Sequence, residues 1–204
     1  MQKQKRTKAR IVLGITGSFG SGKSSVSGIF RSLKAKVIDA DQLAHQCLNR
    51  GSVSYKKIVR VFGKTILDKD LLIDRKKLAR IVFNDRDSLK KLNSIIHPQV
   101  VKWIKKDISL AREGIVVLDV PLLVEAGLKD LADKLIVVNI DKRQQIKRIQ
   151  AKTKMSREDI LRRIACQIPL RKKLRLADFV IDNSGTRQET KKQVEEIIGQ
   201  LRSA

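Results

Sequence analysis

The chain has 204 residues, of which 42% are hydrophobic and 32% charged, and its formal net charge is +24. This length fits one domain, with or without a small appended subdomain, and the composition is typical of a globular rather than a disordered protein. The positive charge predicts attraction to polyanions such as nucleotides, phosphorylated substrates or nucleic acid, although much of it also fits lysines on solvated helix faces. No window approaches the ~20 apolar residues of a membrane span, so we expect no membrane association.

Residues 1–10 carry five basic side chains, and we interpret them as a disordered basic leader, with an electrostatic tether to RNA or membrane as the alternative. The two cysteines, Cys47 and Cys166, lie far apart and match no metal or redox spacing. Such cysteine usage favours a reducing compartment, and we expect the protein to be cytoplasmic.

Five short runs of β-branched and other apolar residues predict strands that are buried on both faces. Helical patterns separate these runs, and the last one places Val194, Ile197, Ile198 and Leu201 at helical spacing. Alternating strands and helices predict an α/β fold with a parallel five-stranded sheet flanked by helices. The predicted strands are residues 11–16, 36–38, 115–119, 135–140 and 179–181.

Two regions of the predicted domain, residues 11–204, do not belong to this alternation. Residues 50–113 form a helical stretch too long for one crossover, which predicts a helical insertion. Residues 142–175 hold thirteen Lys or Arg against two acids. Both regions leave the sheet where ligands of such folds bind. We interpret the basic segment as a helical lid, in which most of the cations are solvated and only one or two act on a ligand.

The first predicted strand leads into "GSFGSGKS", Gly17 to Ser24, which matches the phosphate-binding pattern G-x-x-x-x-G-K-[ST]. Gly17, Gly20 and Gly22 allow the backbone N–H groups to converge on phosphate oxygens, and the following helix adds its positive end. Lys23 is expected to reach the β- and γ-phosphates and Ser24 to ligate Mg²⁺. The sequence therefore predicts a P-loop fold of the NTPase type that binds a nucleoside triphosphate.

Carboxylates follow two of the predicted strands, where a kinase needs a metal ligand and a group that activates the acceptor. Asp39 and Asp41 follow the second strand, and either one also fits as the N-cap of the next helix. Beside a phosphate loop we favour catalysis for Asp41. Asp119 ends the third strand after four apolar residues, which is typical of an acid that steadies Mg²⁺, although a strand-end acid also caps turns.

Taken together, these elements resemble the dephospho-CoA kinase family. The resemblance covers the chain from about Ile11 to the last helix, and its distant motifs are more specific than the phosphate loop. It implies transfer of the ATP γ-phosphate to the ribose 3′-hydroxyl of dephospho-CoA, with an acceptor-side domain within 50–113 and a lid within 142–175. The matching segments are "GITGSFGSGKSSV", "VIDADQLAH", "LIDRKKLARIVF", "IIHPQV", "LDVPLLVEAG", "RIACQIP" and "ADFVIDNSG".

The resemblance also implies roles for individual residues. Asp41 corresponds to the general base, Asp39 supports the metal or orients Asp41, and Arg148 contacts the transferring phosphate. Asn183 helps to form the adenine end of the ATP site, and Lys23 joins Asp41 and Arg148 as catalytic. The ATP-binding residues that it implies are Thr16, Gly17, Gly20, Ser21, Gly22, Lys23, Ser24, Ser25 and Asn183.

On the acceptor side, the resemblance implies substrate binding by Asp39, Asp41, Arg75 and His97. Pro98, which follows His97, equally fits the first turn of a helix, where proline is sterically natural. One position departs from the family pattern: Lys152 stands where a second lid arginine is common, and lysine lacks the planar bidentate guanidinium.

Two alternatives remain from the sequence. One is another nucleoside or nucleotide kinase, which would share the phosphate loop and the lid. The other is a nucleic-acid-binding NTPase, motivated by the charge of +24. The chain has seven aromatic residues for stacking bases and no recognised nucleic-acid motif, so we expect no specific nucleic acid partner. ATP, Mg²⁺ and dephospho-CoA are the expected ligands.

Overall fold

The structure is a computed structural model that describes residues 10–120, 123 and 127–203, with residue 83 described by its backbone alone. Residues 1–9 of the predicted leader and most of the "PLLVE" part of the family pattern lie outside the described residues. The chain divides into two compact units. The first comprises Met1–Ile38 with Ala111–Ala204, and the second comprises Asp39–Leu110.

The strands lie in one five-stranded sheet with the order β2-β3-β1-β4-β5. β1 pairs in parallel with β3 and with β4, and β4 pairs in parallel with β5. The predicted fold class is therefore confirmed. The ends of the predicted strands agree with those of the observed strands to within a residue or two. The strands are β1 (Ile11–Gly17), β2 (Lys36–Asp39), β3 (Ile115–Asp119), β4 (Lys134–Asn139) and β5 (Phe179–Asp182).

The helices lie between the strands and, in the longest interval, in the second unit. In chain order the described helices are α1 (Lys23–Ser32), α2 (Ala40–Gln46), α3 (Val53–Phe62), α4 (Arg75–Asn84), α5 (Arg86–Leu110), α6 (Lys142–Lys152), α7 (Arg157–Ala165), α8 (Leu170–Leu174) and α9 (Arg187–Ser203).

The core of the first unit is mainly aliphatic, as the scarcity of aromatic residues requires. Phe30 of α1 and Val194 of α9 are completely buried together with Leu13 and Ile136 of the sheet. The helical spacing in α9 is confirmed, since Val194, Ile197 and Ile198 all face this core. Burial of each such aliphatic side chain stabilises the fold by about 1.5–3 kcal/mol.

The parallel register brings the carboxyl ends of several strands to one edge of the sheet. Asp119 at the end of β3 lies opposite Ile15 of β1. Gly17, the last residue of β1, lies opposite Val138 of β4, and Asn139 lies opposite Asp182 of β5. The loop after β1 therefore emerges at the edge where ligands of open α/β sheets bind.

The second unit is a helical body with its own core. α5 packs against α2, α3 and α4, and the buried side chains include Ile58, Ile66, Leu78 and Leu92. The alternative that Pro98 begins a helix is wrong, because it lies inside α5. Proline removes the hydrogen bond to the carbonyl four residues earlier, but the packing of α5 on three other helices maintains the helix through that position.

Several other expectations concern larger regions. The predicted insertion, residues 50–113, overlaps the second unit, Asp39–Leu110, and the predicted lid, residues 142–175, contains α6, α7 and α8. Both domain assignments remain predictions. Cys47 is buried and Cys166 exposed, and both are free thiols. Among the described residues, every helix is too short or too polar to cross a lipid bilayer.

Candidate active site

The phosphate loop connects β1 to α1 and begins the helix with an uncapped positive end. Gly22 is the N-cap residue, with φ 91° and ψ 25°, and no side chain caps the helix. The first turn of α1 contains no acidic residue. The N–H groups at a helix N-terminus lack intrahelical partners and attract anions, so this end is suited to phosphate oxygens.

The polar side chains of the loop are arranged around its backbone. The Nζ of Lys23 donates to the carbonyl oxygens of Gly17 (3.4 Å) and Ser18 (3.1 Å). Ser24 and Ser25 are exposed in the first turn of α1. The hydroxyls of Thr16 and Ser21 are buried and have no hydrogen-bond partner among the described residues. Buried hydroxyls are normally paired, so these two retain hydrogen-bonding capacity beside the loop.

Two glutamines from the predicted lid segment hold the middle of the loop. The Nε2 of Gln145 on α6 donates to Ser18 Oγ (2.7 Å) and to the Phe19 carbonyl (2.5 Å). The Oε1 of Gln167, between α7 and α8, accepts from the Phe19 N–H (2.8 Å). Arg163 also lies over the Phe19 ring, 5.2 Å from its centroid. Neither glutamine has a predicted role, although Gln167 lies in the segment "RIACQIP" of the family pattern.

Two further side chains hold the start and the end of the loop. The Nζ of Lys173 on α8 donates to the Gly17 carbonyl (3.2 Å), and the side chain is completely buried. The Nδ2 of Asn183 donates to the Ser21 carbonyl (2.8 Å), and its Oδ1 accepts from Thr190 (3.1 Å). Asn183 thus contacts the loop backbone through its amide, and its assignment to the adenine end of the site stays a prediction.

Arg148 lies on α6 and is anchored to the segment that follows β5. Its guanidinium donates to the carbonyl oxygens of Asn183 (2.6 Å), Ser184 (3.3 Å) and Gly185 (3.0 Å). A guanidinium has five N–H groups, so two of them remain outside these contacts with the described residues. The anchored arginine can therefore still donate to an anion.

A cavity of about 570 Å³ brings these elements together. That volume is within the range of small-molecule sites, about 300–1,000 Å³. Of the sequence-predicted residues, the lining includes Gly20, Gly22, Lys23, Ser24, Ser25, Arg148 and Asn183. Lys152, the departure from the family pattern, is the last residue of α6 and lines the same cavity.

Gly22 leads to a stability prediction with a matched control. An alanine Cβ at Gly22 would lie 2.0 Å from the Asn183 Nδ2, and the positive φ disfavours any L side chain. We expect Gly22→Ala to lower the free energy of unfolding by at least ~1–3 kcal/mol, the cost of a strained backbone conformation alone. Equilibrium denaturation in guanidinium chloride measures this change.

Gly28→Ala is the control, because Gly28 lies in α1 and a Cβ there has no atom within 4 Å. Alanine in a helix interior is favoured over glycine by about 0.5–1 kcal/mol, so this variant should be more stable than the original chain. Equal stability of the two variants would show that the backbone of the phosphate loop is not constrained in this way.

Asp119 supplies a carboxylate at the same edge of the sheet. Asp119 is 7% exposed. The strand register places it beside Ile15, the residue that precedes Thr16. Mg²⁺ prefers oxygen ligands and usually keeps several waters, so one carboxylate and one hydroxyl suffice on the protein side. Asp119 and Ser24 provide this donor set, and the residues present therefore fit the predicted ion.

The two carboxylates after β2 have different local positions. Asp39 is the N-cap of α2, where its Oδ1 accepts from the Gln42 N–H (3.0 Å). Asp41 is exposed in the first turn of that helix. The sequence alone did not decide which of the two acids caps the helix. The cap is Asp39, so the capping role does not account for Asp41.

Arg75 and His97, the other predicted acceptor-side residues, are both exposed in the second unit. Arg75 is the first residue of α4, next to the N-cap Asp74. Backbone N–H groups, first that of Lys77 and then that of Lys76, lower the pKa of Asp74 by stabilising its carboxylate. His97 lies on α5 before Pro98. Their substrate contacts remain predictions.

The sheet order, the phosphate loop and the cavity define the fold of a P-loop small-molecule kinase. A shikimate kinase structure from Bacteroides thetaiotaomicron has this fold, with a TM-score of 0.54, 13% identity, and coverage of 94% of this chain and 98% of that one. The likeness at this identity concerns the fold alone.

The family follows from closer relatives. The dephospho-CoA kinase family model (CoaE) matches residues 11–189. A dephospho-CoA kinase of Carboxydothermus hydrogenoformans is 46% identical over 90% of each chain. The structure of a dephospho-CoA kinase from Campylobacter jejuni is 31% identical, with a TM-score of 0.71 over 93% of this chain and 96% of that one. The chain belongs to the dephospho-CoA kinase family, which confirms the predicted kinase activity in the last step of coenzyme A biosynthesis.

Proposed function

We propose that the cavity beside the phosphate loop binds ATP and that the γ-phosphate passes to the ribose 3′-hydroxyl of dephospho-CoA. The observation that carries this proposal is the phosphate loop itself. The N-terminus of α1 that follows it has no side-chain cap, and the first turn of that helix contains no acidic residue. The hydroxyls of Thr16 and Ser21 are buried and have no hydrogen-bond partner in the described part of the chain, so they add donors at the same place. Gly17, Gly20 and Gly22 allow the backbone to approach the phosphates.

Within this site, Lys23 stabilises the β- and γ-phosphates. Its ammonium already lies at the loop, where it donates to the carbonyl oxygens of Gly17 and Ser18. Ser21 and Ser25 are further ATP contacts from the loop and the first turn of α1. Stabilisation of charge on the transferred group by fixed donors is the largest contribution that a kinase site makes to catalysis.

Mg²⁺ is the metal that we assign to this reaction, with Ser24 and Asp119 as its protein ligands. The ion would neutralise charge on the β- and γ-phosphates. In the described residues there is no cluster of three or more His, Cys, Asp or Glu that could hold a metal alone. A site completed by nucleotide and water oxygens is the arrangement that Mg²⁺ favours.

Asp41 is the general base of the proposal. A carboxylate can accept the proton of the ribose hydroxyl as that oxygen attacks phosphorus. Asp39 occupies the N-cap of α2, so capping is the role of Asp39 and not of Asp41. Asp39 then fixes the start of the helix that carries Asp41, which is its contribution to the acceptor side.

Arg148 contacts the transferring phosphate in this proposal. The three carbonyl contacts fix the guanidinium, and its remaining N–H groups donate to the phosphate oxygens. Arg75 and His97 bind the acceptor, as cation and hydrogen-bonding group respectively. Asn183 completes the ATP site at the segment after β5.

We also propose that the protein acts in the cytoplasm. Both cysteines of the chain are free thiols, and one of them is exposed, as a reducing compartment allows.

The test is an acceptor panel with the purified protein, ATP and Mg²⁺. Dephospho-CoA should yield equal amounts of ADP and CoA, whereas adenosine, cytidine and shikimate should yield no ADP above background. A preference for a nucleoside would replace the acceptor assignment and leave the ATP site intact. ADP release that needs RNA and no small acceptor would instead support a nucleic-acid-dependent NTPase.

A further inference from the structure

Gln145 and Gln167 bind the two backbone groups of one residue, Phe19, in the middle of the phosphate loop. The Nε2 of Gln145 donates to the Phe19 carbonyl oxygen (2.5 Å), and the Oε1 of Gln167 accepts from the Phe19 N–H (2.8 Å). The Nε2 of Gln145 also donates to Ser18 Oγ (2.7 Å). The two side chains therefore supply the hydrogen bonds that a neighbouring strand would supply to Phe19 in a sheet.

The polarity of both contacts follows from the backbone groups. A backbone carbonyl only accepts and a backbone N–H only donates, so Gln145 presents its nitrogen to Phe19 and Gln167 presents its oxygen. The loop thus requires a donor at position 145 and an acceptor at position 167. These are opposite requirements at a single residue of the loop.

The contact of α6 with the loop extends beyond these hydrogen bonds. Gln145 is 4% exposed and lies one turn before Ile149 on the same face of α6. The Phe19 side chain packs against the cluster of buried isoleucines to which Ile149 belongs. A Cβ at Gly20 would lie 2.4 Å from Ile149 Cδ1, so the same helix face also lies against the next residue of the loop.

The glutamines fix the direction of a neighbouring N–H group. The Phe19 carbonyl and the Gly20 N–H belong to one planar trans peptide, in which the two groups point in opposite directions. By holding that carbonyl, Gln145 fixes the Gly20 N–H, and Gly20 lines the cavity beside the loop. Gln167 fixes the preceding peptide in the same way. Donors that are already fixed need no reorganisation when an anion binds.

We propose that Gln145 and Gln167 are positioning residues for ATP binding, which fix the peptide groups on either side of Phe19 and so hold the phosphate loop in its binding conformation. This inference rests on the proposed binding of ATP phosphates in the loop. Both glutamines act through the Phe19 backbone, and neither is assigned a bond to the nucleotide.

The test uses the opposite polarity of the two contacts. At pH 8, Gln145→Glu replaces the donor by a carboxylate, which only accepts, whereas Gln167→Glu keeps an acceptor for the Phe19 N–H. Both variants add one negative charge beside the same residue, so a difference between them measures hydrogen-bond polarity rather than charge. Gln145→Met and Gln167→Met remove the contacts without adding charge. Gln144→Glu, at an exposed position of α6, is the control for charge alone.

Calorimetric titration measures the Kd of ATP, and steady-state kinetics at saturating ATP measures the KM of dephospho-CoA. We expect Gln145→Glu and both methionine variants to raise the Kd of ATP tenfold or more, because each leaves a backbone group of Phe19 without its partner. Gln167→Glu should stay within threefold of the original chain, and Gln144→Glu within twofold. The KM of dephospho-CoA should stay within twofold in every variant, which separates positioning of the phosphate loop from a general loss of structure.

Equal Kd values of ATP in Gln145→Glu and Gln167→Glu would overturn the proposal, as would a parallel rise in the Kd of ATP and the KM of dephospho-CoA. If a glutamate variant does not fold by circular dichroism, the methionine variants decide. An ATP Kd within threefold of the original chain, or failure of both methionine variants to fold, would leave the glutamines purely structural. Failure of the original chain to bind ATP would refute the proposed phosphate site itself, so the two failures are distinguishable.

Discussion

Asp41→Asn should lower kcat by about 10²–10⁴-fold, the usual contribution of a positioned general base. Asparagine keeps the size and a hydrogen-bonding oxygen but cannot accept the proton of the ribose hydroxyl. The Kd of ATP should stay within twofold, because the phosphates are held by the loop after β1. Steady-state turnover of dephospho-CoA and calorimetric titration with ATP measure these two quantities.

Asp87→Asn is the control for this variant. Asp87 is an exposed carboxylate of the second unit, and it contacts Lys90 in an ion pair that is open to solvent. Loss of such a pair changes stability by at most about 1 kcal/mol and should not change turnover. Normal turnover by Asp41→Asn would show that Asp41 is not the general base and would leave Asp39, the other acid of the motif, as the candidate.

Arg148→Met should lower kcat by about 10³-fold or more, the effect associated with an arginine that stabilises the transferring phosphoryl group. Arg148→Lys should restore little of this activity, because an ammonium cannot hold three carbonyl groups of the segment after β5 and also present a planar pair of donors. Single-turnover kinetics at saturating ATP separates this loss from a change in nucleotide affinity.

The control is Lys147→Met, which removes a cation from the adjacent, exposed position of α6. Its kcat should be unchanged, since an exposed cation contributes through screened, long-range attraction. Equal losses in the two variants would show that overall positive charge matters rather than a placed guanidinium. A kcat loss below tenfold in Arg148→Met would show that Arg148 only anchors the segment after β5 and does not stabilise the transferred phosphate.

The local parts of the site could be predicted from sequence because their signals are local. The glycines and the lysine of the phosphate loop specify their own backbone conformation over eight residues, and the apolar strands are too short and too β-branched for other structures. Asp39 and Asp41 illustrate the limit of such signals. Either acid fits as the helix cap, and only the backbone geometry assigns the cap to Asp39.

Gln145 and Lys173, two of the side chains that hold the loop, could not be found this way, because they are distant from the loop in the chain. Gln145 and Lys173 bond to residues 127 and 156 positions earlier, and each resembles an ordinary polar side chain in its own neighbourhood. The spacing of Leu170, Lys173 and Leu174 was the one available indication, since it places the lysine on an apolar helix face. The alternative that Pro98 begins a helix was wrong for a related reason. The packing of α5 in the second unit outweighs the local preference of proline for a helix start.

The long reach of these contacts has a consequence for how the protein is made. β1 lies between β3 and β4 in the sheet, and the loop that follows it is held by residues as late as Asn183, 162 positions beyond Ser21. Contacts so distant in sequence slow folding, because the chain must close large loops before any stabilisation is gained. At about 5–20 residues per second on the ribosome, the phosphate motif exists for many seconds before the side chains that shape it have been synthesised. Nucleotide can therefore stabilise this protein only after nearly the whole chain has been synthesised, and a truncated or stalled chain would carry the motif without the site.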